Sequence, residues 1–198
     1  MALTKLGSPL DACQAVAQNV LVEGAVGDLD GAYEATLMLQ LALTTETAHA
    51  GTRIVVQVSD NDAGDEDWFK LTAFMALQAT AASEAITNAP AAIGTTVFTC
   101  ASTTGFTAVG RRFLQDITVF ANSEWLDQIS YAAGVSITMV DGCARAHAQN
   151  SVLYTQADSR AILLPSTARR VRVLYDNTYA PTGSAIAVRS RITAVTGT

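Results

Sequence analysis

The side chains able to do chemistry are few in this chain, and they are scattered. Asp60-Asn61-Asp62-Ala63-Gly64-Asp65-Glu66-Asp67 places five carboxylates in eight residues, the kind of oxygen-rich loop a hard cation such as calcium requires. The EF-hand spacing fails, because its fifth position is Gly64 and its twelfth is Leu71. The stretch reads instead as a solvated hairpin tip whose charge discourages edge-to-edge pairing. His49 and His147 lie far apart with no second histidine near either, and no Gly-x-Ser-x-Gly elbow supplies a nucleophile. Both read as surface loop histidines. Glu124 and Asp127 have the residue types of a glycosidase acid pair, but three positions apart on or beside a strand they are poorly placed to flank one bond. Cys13, Cys100 and Cys143 are an odd set without metal-ligand spacing, which predicts three reduced thiols.

The remaining candidates suit contact better than catalysis. Arg111-Arg112, and Arg169-Arg170 with Arg172, are the only basic clusters. They can pair with acidic strands of the same chain or with an acidic patch on a neighbouring subunit. No aromatic residues interleave with them, which argues against single-stranded nucleic acid as a partner. Trp68 and Trp125 each follow acidic residues and precede a strand; they read as core anchors, with sugar stacking or an interface role as the alternatives. No catalytic, cofactor or metal residue is therefore expected. The candidate interface residues are Trp125, Arg111, Arg112, Asp60, Asp62 and Asp65.

The elements that must carry these residues are strands. Tyr33, Ala35, Leu37, Leu39, Leu41 and Leu43 alternate with Glu34, Thr36, Gln40 and Ala42, with only Met38 blurring the pattern. Ile54, Val56 and Val58 alternate with Arg53, Val55 and Gln57, and a strand follows Trp68 from Phe69 to Ala73. Met75 to Ala92 is alanine-rich and shows neither period, so it reads as a strand running out into a connection. From Ile93 the runs shorten: Thr95–Cys100, Phe113–Phe120, Trp125–Ser130, Val135–Val140 and Val152–Tyr154, the spacing of a small antiparallel barrel. The longer alternation returns after about residue 157, with Val171, Val173 and Tyr175 and then Ile186, Val188 and Ile192, across turns at Asp176-Asn177 and Pro181-Thr182-Gly183. The expectation is an all-β protein. A β-sandwich built from 12–92 and 157–198 carries a small antiparallel barrel inserted at 93–156, behind an N-terminal arm of 1–11. The stretch from Met1 to Ala17 is expected to order on assembly.

Composition supports that class. A chain of 198 residues buries roughly 70% of its unfolded surface and needs no staples. With 49% hydrophobic and 15% charged residues it is not disordered. Threonine (24) favours strands, and alanine (35) favours thin, closely packed layers. The net charge of −6 hides an asymmetry: residues 1–110 hold 3 basic and 12 acidic side chains, and residues 111–198 hold 9 and 6. Halves so divided pack on each other or on copies of each other. An acidic chain is not expected to bind nucleic acid. No basic leader precedes an apolar run, and no stretch approaches 18 apolar residues, so neither a signal peptide nor a membrane span is expected.

One set of residues resembles a known group. Cys100-Ala101-Ser102-Thr103-Thr104-Gly105, Gly110, Phe113 to Asp116, Ser123-Glu124-Trp125, and Asp141-Gly142 with His147 are similar to a module of structural proteins from tailed bacteriophages. The flanks are similar too: Ala35 to Leu41, Trp68 ahead of a strand, and Arg172-Val173 running to Asp176-Asn177. The resemblance implies a non-enzymatic virion protein assembled in the host bacterial cytoplasm. Its expected partners are the major capsid protein or other virion proteins, with copies of itself as homo-oligomer. Capsid decoration or cement proteins match best in size and β-content. Neck or tail proteins are the second reading, and a carbohydrate-binding module on the virion surface the third.

Overall fold

The computed structural model describes residues 3–46, 49–62, 64, 67–87, 90–178 and 185–197, and strands dominate it. In chain order these are β1 (Leu3–Val16), β2 (Leu21–Glu23), β3 (Gly27–Asp28), β4 (Ala32–Leu43), β5 (Thr52–Ser59), β6 (Phe69–Ala76) and β7 (Ser83–Ala85). There follow β8 (Val97–Thr99), β9 (Gly110–Gln115), β10 (Glu124–Ala132), β11 (Ser136–Met139) and β12 (Val152–Tyr154), then β13 (Ala157–Leu164), β14 (Arg170–Asp176) and β15 (Ile186–Gly197). One 3-10 turn, Phe120–Asn122, is the only helix among the described residues. None of the described helices is therefore long and apolar enough to cross a membrane.

Three antiparallel sheets result. One has the order β1-β15-β4-β13, and a second β2-β14-β5-β6 with β3 also on β14. They face each other across a core of Leu37, Leu39, Leu41 and Leu43 from β4, Ile54 and Val56 from β5, Val171, Val173 and Tyr175 from β14, and Ile186 and Val188 from β15. Each set is an i, i+2 series, because successive strand side chains point to opposite faces and one face must leave water. The all-β sandwich expected from the alternation is therefore present. Tyr33 is the exception in the β4 series: it is exposed, at the strand's open end.

The third sheet, β7-β12-β9-β10-β11-β8, is drawn entirely from residues 83–154, while the other two use the segments before and after it. Its edges meet: Ile86 bridges Cys100, and the Thr87 N–H donates to the Thr99 carbonyl at 2.7 Å. The sheet thus curls into a small barrel around Ile86, Phe98, Leu114, Ile137, Met139 and Leu153. Closure of this kind leaves few unpaired strand groups.

Some elements differ from the sequence reading. Met75–Ala92 contains β7, which opens the barrel at Ser83, ahead of the boundary expected at Ile93. Ala157–Leu164 forms β13, a full strand along β4, although its alternation is weak because it lies at a sheet edge and is half exposed. From Leu3 onward the segment expected as an arm pairs with β15, with register shifts near Pro9 and Asp11. The Pro181-Thr182-Gly183 turn lies outside the described residues.

Barrel and sandwich meet at a seam that uses the back face of the first sheet. Cys13, Ala42 and Ala187, three small side chains on β1, β4 and β15, form a flat seat for Phe113 and Trp125, with Phe120, Tyr154 and Ala157 around it. Ala42 is thus buried on the face of β4 that the alternation assigned to solvent.

Candidate functional site

Two of the residues expected at an interface are internal. Trp125 is buried in the seam, where its Nε1–H donates to the Leu41 carbonyl at 3.0 Å. Its ring packs 4.6 Å from that of Phe113, with the Arg189 guanidinium over it at 5.0 Å. Arg112 is buried as well, and burial pulls its guanidinium pKa down. It donates to Gln128 Oε1 (2.6 Å), Thr107 Oγ1 (3.0 Å), and the carbonyls of Thr155 (3.1 Å), Thr107 and Val109 (both 3.3 Å). Gly110 makes room for this fan: its φ is +149°, and a Cβ there would meet the guanidinium at 2.8 Å. These two side chains hold the barrel together and to the sandwich, and present little surface to a partner.

The charged candidates lie outside. Arg111 forms a two-point pair with Asp127, at 2.8 and 2.6 Å, and reaches Ser159. Asp62 pairs with Arg169 at 2.5 Å, and Asp60 is exposed on the same tip. Asp65 lies outside the described residues. Arg170 faces Asp28 at 3.8 Å and Arg172 faces Glu23 at 3.2 Å. Part of the charge asymmetry is therefore matched within the chain, between β14 and its neighbours. Arg172 also lies over the Trp68 ring at 4.3 Å, so one face of that indole is covered.

Both histidines are buried, contrary to the surface placement expected of them. The His49 Nδ1 accepts from the Gly51 N–H at 2.8 Å, and Nε2 meets Asn177 Oδ1 at 3.1 Å. Burial holds the His49 pKa below its ordinary value despite the Asn177 contact. His147 sits at the barrel wall between two carboxylates: Nε2 lies 2.6 Å from Glu124 Oε1, and Nδ1 lies 3.3 Å from Asp116 Oδ2, without the alignment of a hydrogen bond. Cys143 completes the group, since one ligand atom from each of Glu124, Cys143 and His147 falls within a 4.8 Å span.

The local chain explains how these residues meet. A strand places residues three apart on opposite faces, so Glu124 turns inward to His147 while Asp127 turns outward to Arg111. Glu124 accepts the N–H groups of Ala144 (2.9 Å) and Arg145 (3.2 Å), and Asp116 those of Thr118 (2.8 Å), Val119 (2.7 Å) and Ala148 (3.3 Å). Burial raises both carboxyls, but these bonds and His147 outweigh it and hold each below its usual range. Cys143 is pinned by backbone bonds to Thr95 (3.0 Å) and from Gly94 (2.8 Å). Gly142 permits that approach, because a Cβ there would meet the Gly94 backbone at 2.4 Å. No ligand spacing around His147 was legible in the sequence; Cys143 lies four residues before it, a separation that in a loop does not by itself bring the two side chains together.

A second feature is a surface. From Gln128 to Val140 the chain carries no charged residue, yet much of the β10–β11 hairpin faces solvent: Ile129, Tyr131, Val135 and Val140 are 40–57% exposed. Across the ladder Ser130, Thr138 and Val97 stand side by side, and Val97 is exposed too. On the sandwich, the edge strands β6 and β13 leave Phe69 and Leu163 exposed, and a shallow groove between these strands is lined by Phe74, Arg160 and Leu163.

Neither protein-family profiles nor curated protein sequences match this chain. Solved structures similar to it include one of infectious bursal disease virus, Gx strain (7% identity, TM-score 0.27, covering 100% of this chain and 43% of that one). Another is VP17, a capsid protein of bacteriophage P23-77 (9% identity, TM-score 0.23, covering 99% and 96%). A third is the VP16–VP17 complex of the two major capsid proteins of that phage (9%, 0.23, 96% and 97%). This chain spans less than half the length of the bursal disease virus chain. TM-scores of this size do not establish a shared fold.

Proposed function

We propose that this chain is a non-enzymatic virion structural protein, a capsid decoration or cement protein that binds outside the shell across neighbouring capsomers. The observation that carries this reading is the charge-free, solvent-facing β10–β11 hairpin with Val97 beside it. Apolar side chains left in water along one uncharged hairpin are available for contact with another protein. The exposed edges β6 and β13 add backbone groups and the apolar Phe69 and Leu163 to the available contacts. Repeated by shell symmetry, modest contacts of this kind sum to firm attachment. The partners are the major capsid protein and further copies of this chain. Arg111 and the Asp60–Asp62 tip supply rim charges, and the place of assembly is the host bacterial cytoplasm.

The test is co-sedimentation of the purified protein with expanded shells that lack it, alongside isolated tails and the protein alone. Saturable binding to shells at many copies per particle is the expected result. Binding to tails alone, or a small fixed number of copies per particle, moves the protein to the neck or tail. Absence of binding to either ends the virion reading.

A further inference from the structure

We infer that Cys143, His147 and Glu124 bind one divalent transition-metal ion of zinc type, which clamps the 141–150 loop to the barrel wall. The donor set is the first reason. A sulfur, an imidazole nitrogen and a carboxylate oxygen, all on buried residues, lie within 4.8 Å of one another. That combination suits zinc and its neighbours in the first transition row, whereas calcium and magnesium take oxygen only.

The second reason is the carboxylate behind the imidazole. A ligating histidine ordinarily turns its far nitrogen to a carboxylate or carbonyl, which sets the tautomer and the ring angle. Asp116 Oδ2 stands 3.3 Å from Nδ1 of His147, in line with that role, and leaves Nε2 directed at Glu124. With no aligned hydrogen bond at Nδ1, this otherwise well-bonded cluster retains an unsatisfied buried nitrogen. A small rotation of the ring, such as a metal on Nε2 would impose, brings Nδ1–H onto Asp116.

Proximity supplies the third reason. Nε2 and Oε1 approach to 2.6 Å, so the two atoms are within reach of a single bridging centre. A proton serves in the metal-free chain; a metal ion serves at a slightly wider separation and recruits the sulfur as well. Cys143 is prepared for that exchange. Its S–H donates to the Ala92 carbonyl at 3.1 Å, and its backbone is fixed at both ends to Gly94 and Thr95. A metal binds the sulfur as thiolate, so the thiol proton leaves to solvent on binding. The ion takes three protein donors from two segments distant in sequence, with water completing its shell. It ties the start of β10 to a loop that otherwise has no regular strand of its own.

The experiment strips the purified full chain with a chelator under a thiol reductant, then titrates it with Co²⁺ alone and afterwards with Zn²⁺. One Co²⁺ per chain is expected, with a thiolate-to-cobalt charge-transfer band and the intense visible bands of a four-coordinate site, displaced by Zn²⁺. Zn²⁺ should also raise the melting temperature. Cys143→Ser should remove the charge-transfer band, His147→Gln should weaken binding at least tenfold, and Asp116→Asn should weaken it by about 10- to 100-fold. Cys13→Ser and Cys100→Ser should leave the spectrum unchanged. No thiolate band in the wild-type chain overturns the inference, as does a band that survives Cys143→Ser. Should that variant not fold, Zn²⁺-dependent protection of Cys143 from alkylation in the wild-type chain, located by peptide mapping, decides the matter. Equal labelling with and without Zn²⁺ counts against the site. Shell binding is no part of these readouts, so the metal site and the virion role stand or fall separately.

Discussion

Arg112 shows how a residue can look like an interface contact in sequence and act as a brace in the fold. Its guanidinium spreads five donors over Gln128, Thr107, Val109 and Thr155 in a space closed to water. A lysine ammonium is a single point charge and cannot span those acceptors. Arg112→Lys should therefore destabilise the chain by about 2–3 kcal/mol, from carbonyls left unpaired, measured as a fall in the urea midpoint at unchanged slope. Its neighbour Arg111 behaves differently. The hydrogen bond from Arg111, then the charge, hold the Asp127 carboxyl below its usual range. A depressed folded-state pKa stabilises above the unfolded value, and that contribution disappears as pH falls through the lowered one. Because Asp127 is half exposed, the pair is worth less than about 1 kcal/mol. Asp127→Asn should remove a small part of the acid sensitivity of unfolding, and added salt should erase the difference between the two proteins. Neither role was readable from Arg111-Arg112 as a dipeptide. Alternation along β9 sends one side chain inward and the next outward, and only the sheet says which.

At the scale of elements, the β10–β11 hairpin separates stability from assembly. Its inner residues, Ile137 and Met139, belong to the barrel core, whereas Ile129 and Val135 face water. Substitutions at exposed positions usually alter stability by no more than about 0.5 kcal/mol. Ile129→Lys combined with Val135→Lys should thus keep the melting temperature while weakening shell binding by about tenfold or more, the size expected when a contact of above 1 kcal/mol is lost. Shell binding equal to wild type would move the contact surface to the β6–β13 side. The hairpin was legible in the sequence as two short strands about a turn. Its exposure was not, since an uncharged run reads equally well as core.

At the scale of the molecule, the seam decides whether barrel and sandwich act as one body. Trp125 fills it and spends its only polar group on the Leu41 carbonyl. Trp125→Phe should cost about 1 kcal/mol for the lost hydrogen bond, while Trp125→Ala should cost about 3–5 kcal/mol by leaving a cavity. In calorimetry the wild-type chain should unfold in one transition, and Trp125→Ala should split it into two as each core melts alone. A single sharpened transition in that variant would show that the two cores do not depend on the seam for their coupling.

What the sequence determined by itself was local. The alternation at Leu37, Leu39, Leu41 and Leu43, and at Val171, Val173 and Tyr175, specifies strands and their buried faces, because a strand's two-residue period is a property of adjacent peptide units. The tertiary structure alone decided which faces are covered twice, as at Ala42, and which weakly patterned stretches, β7 and β13, complete a sheet by pairing with distant strands. It also decided that His147, read as a surface residue, lies buried between Asp116 and Glu124 and beside Cys143. Those contacts join residues 4 to 31 positions apart through β9, β10 and the loop after β11. Their geometry follows from sheet register and closure, which no short window of sequence contains.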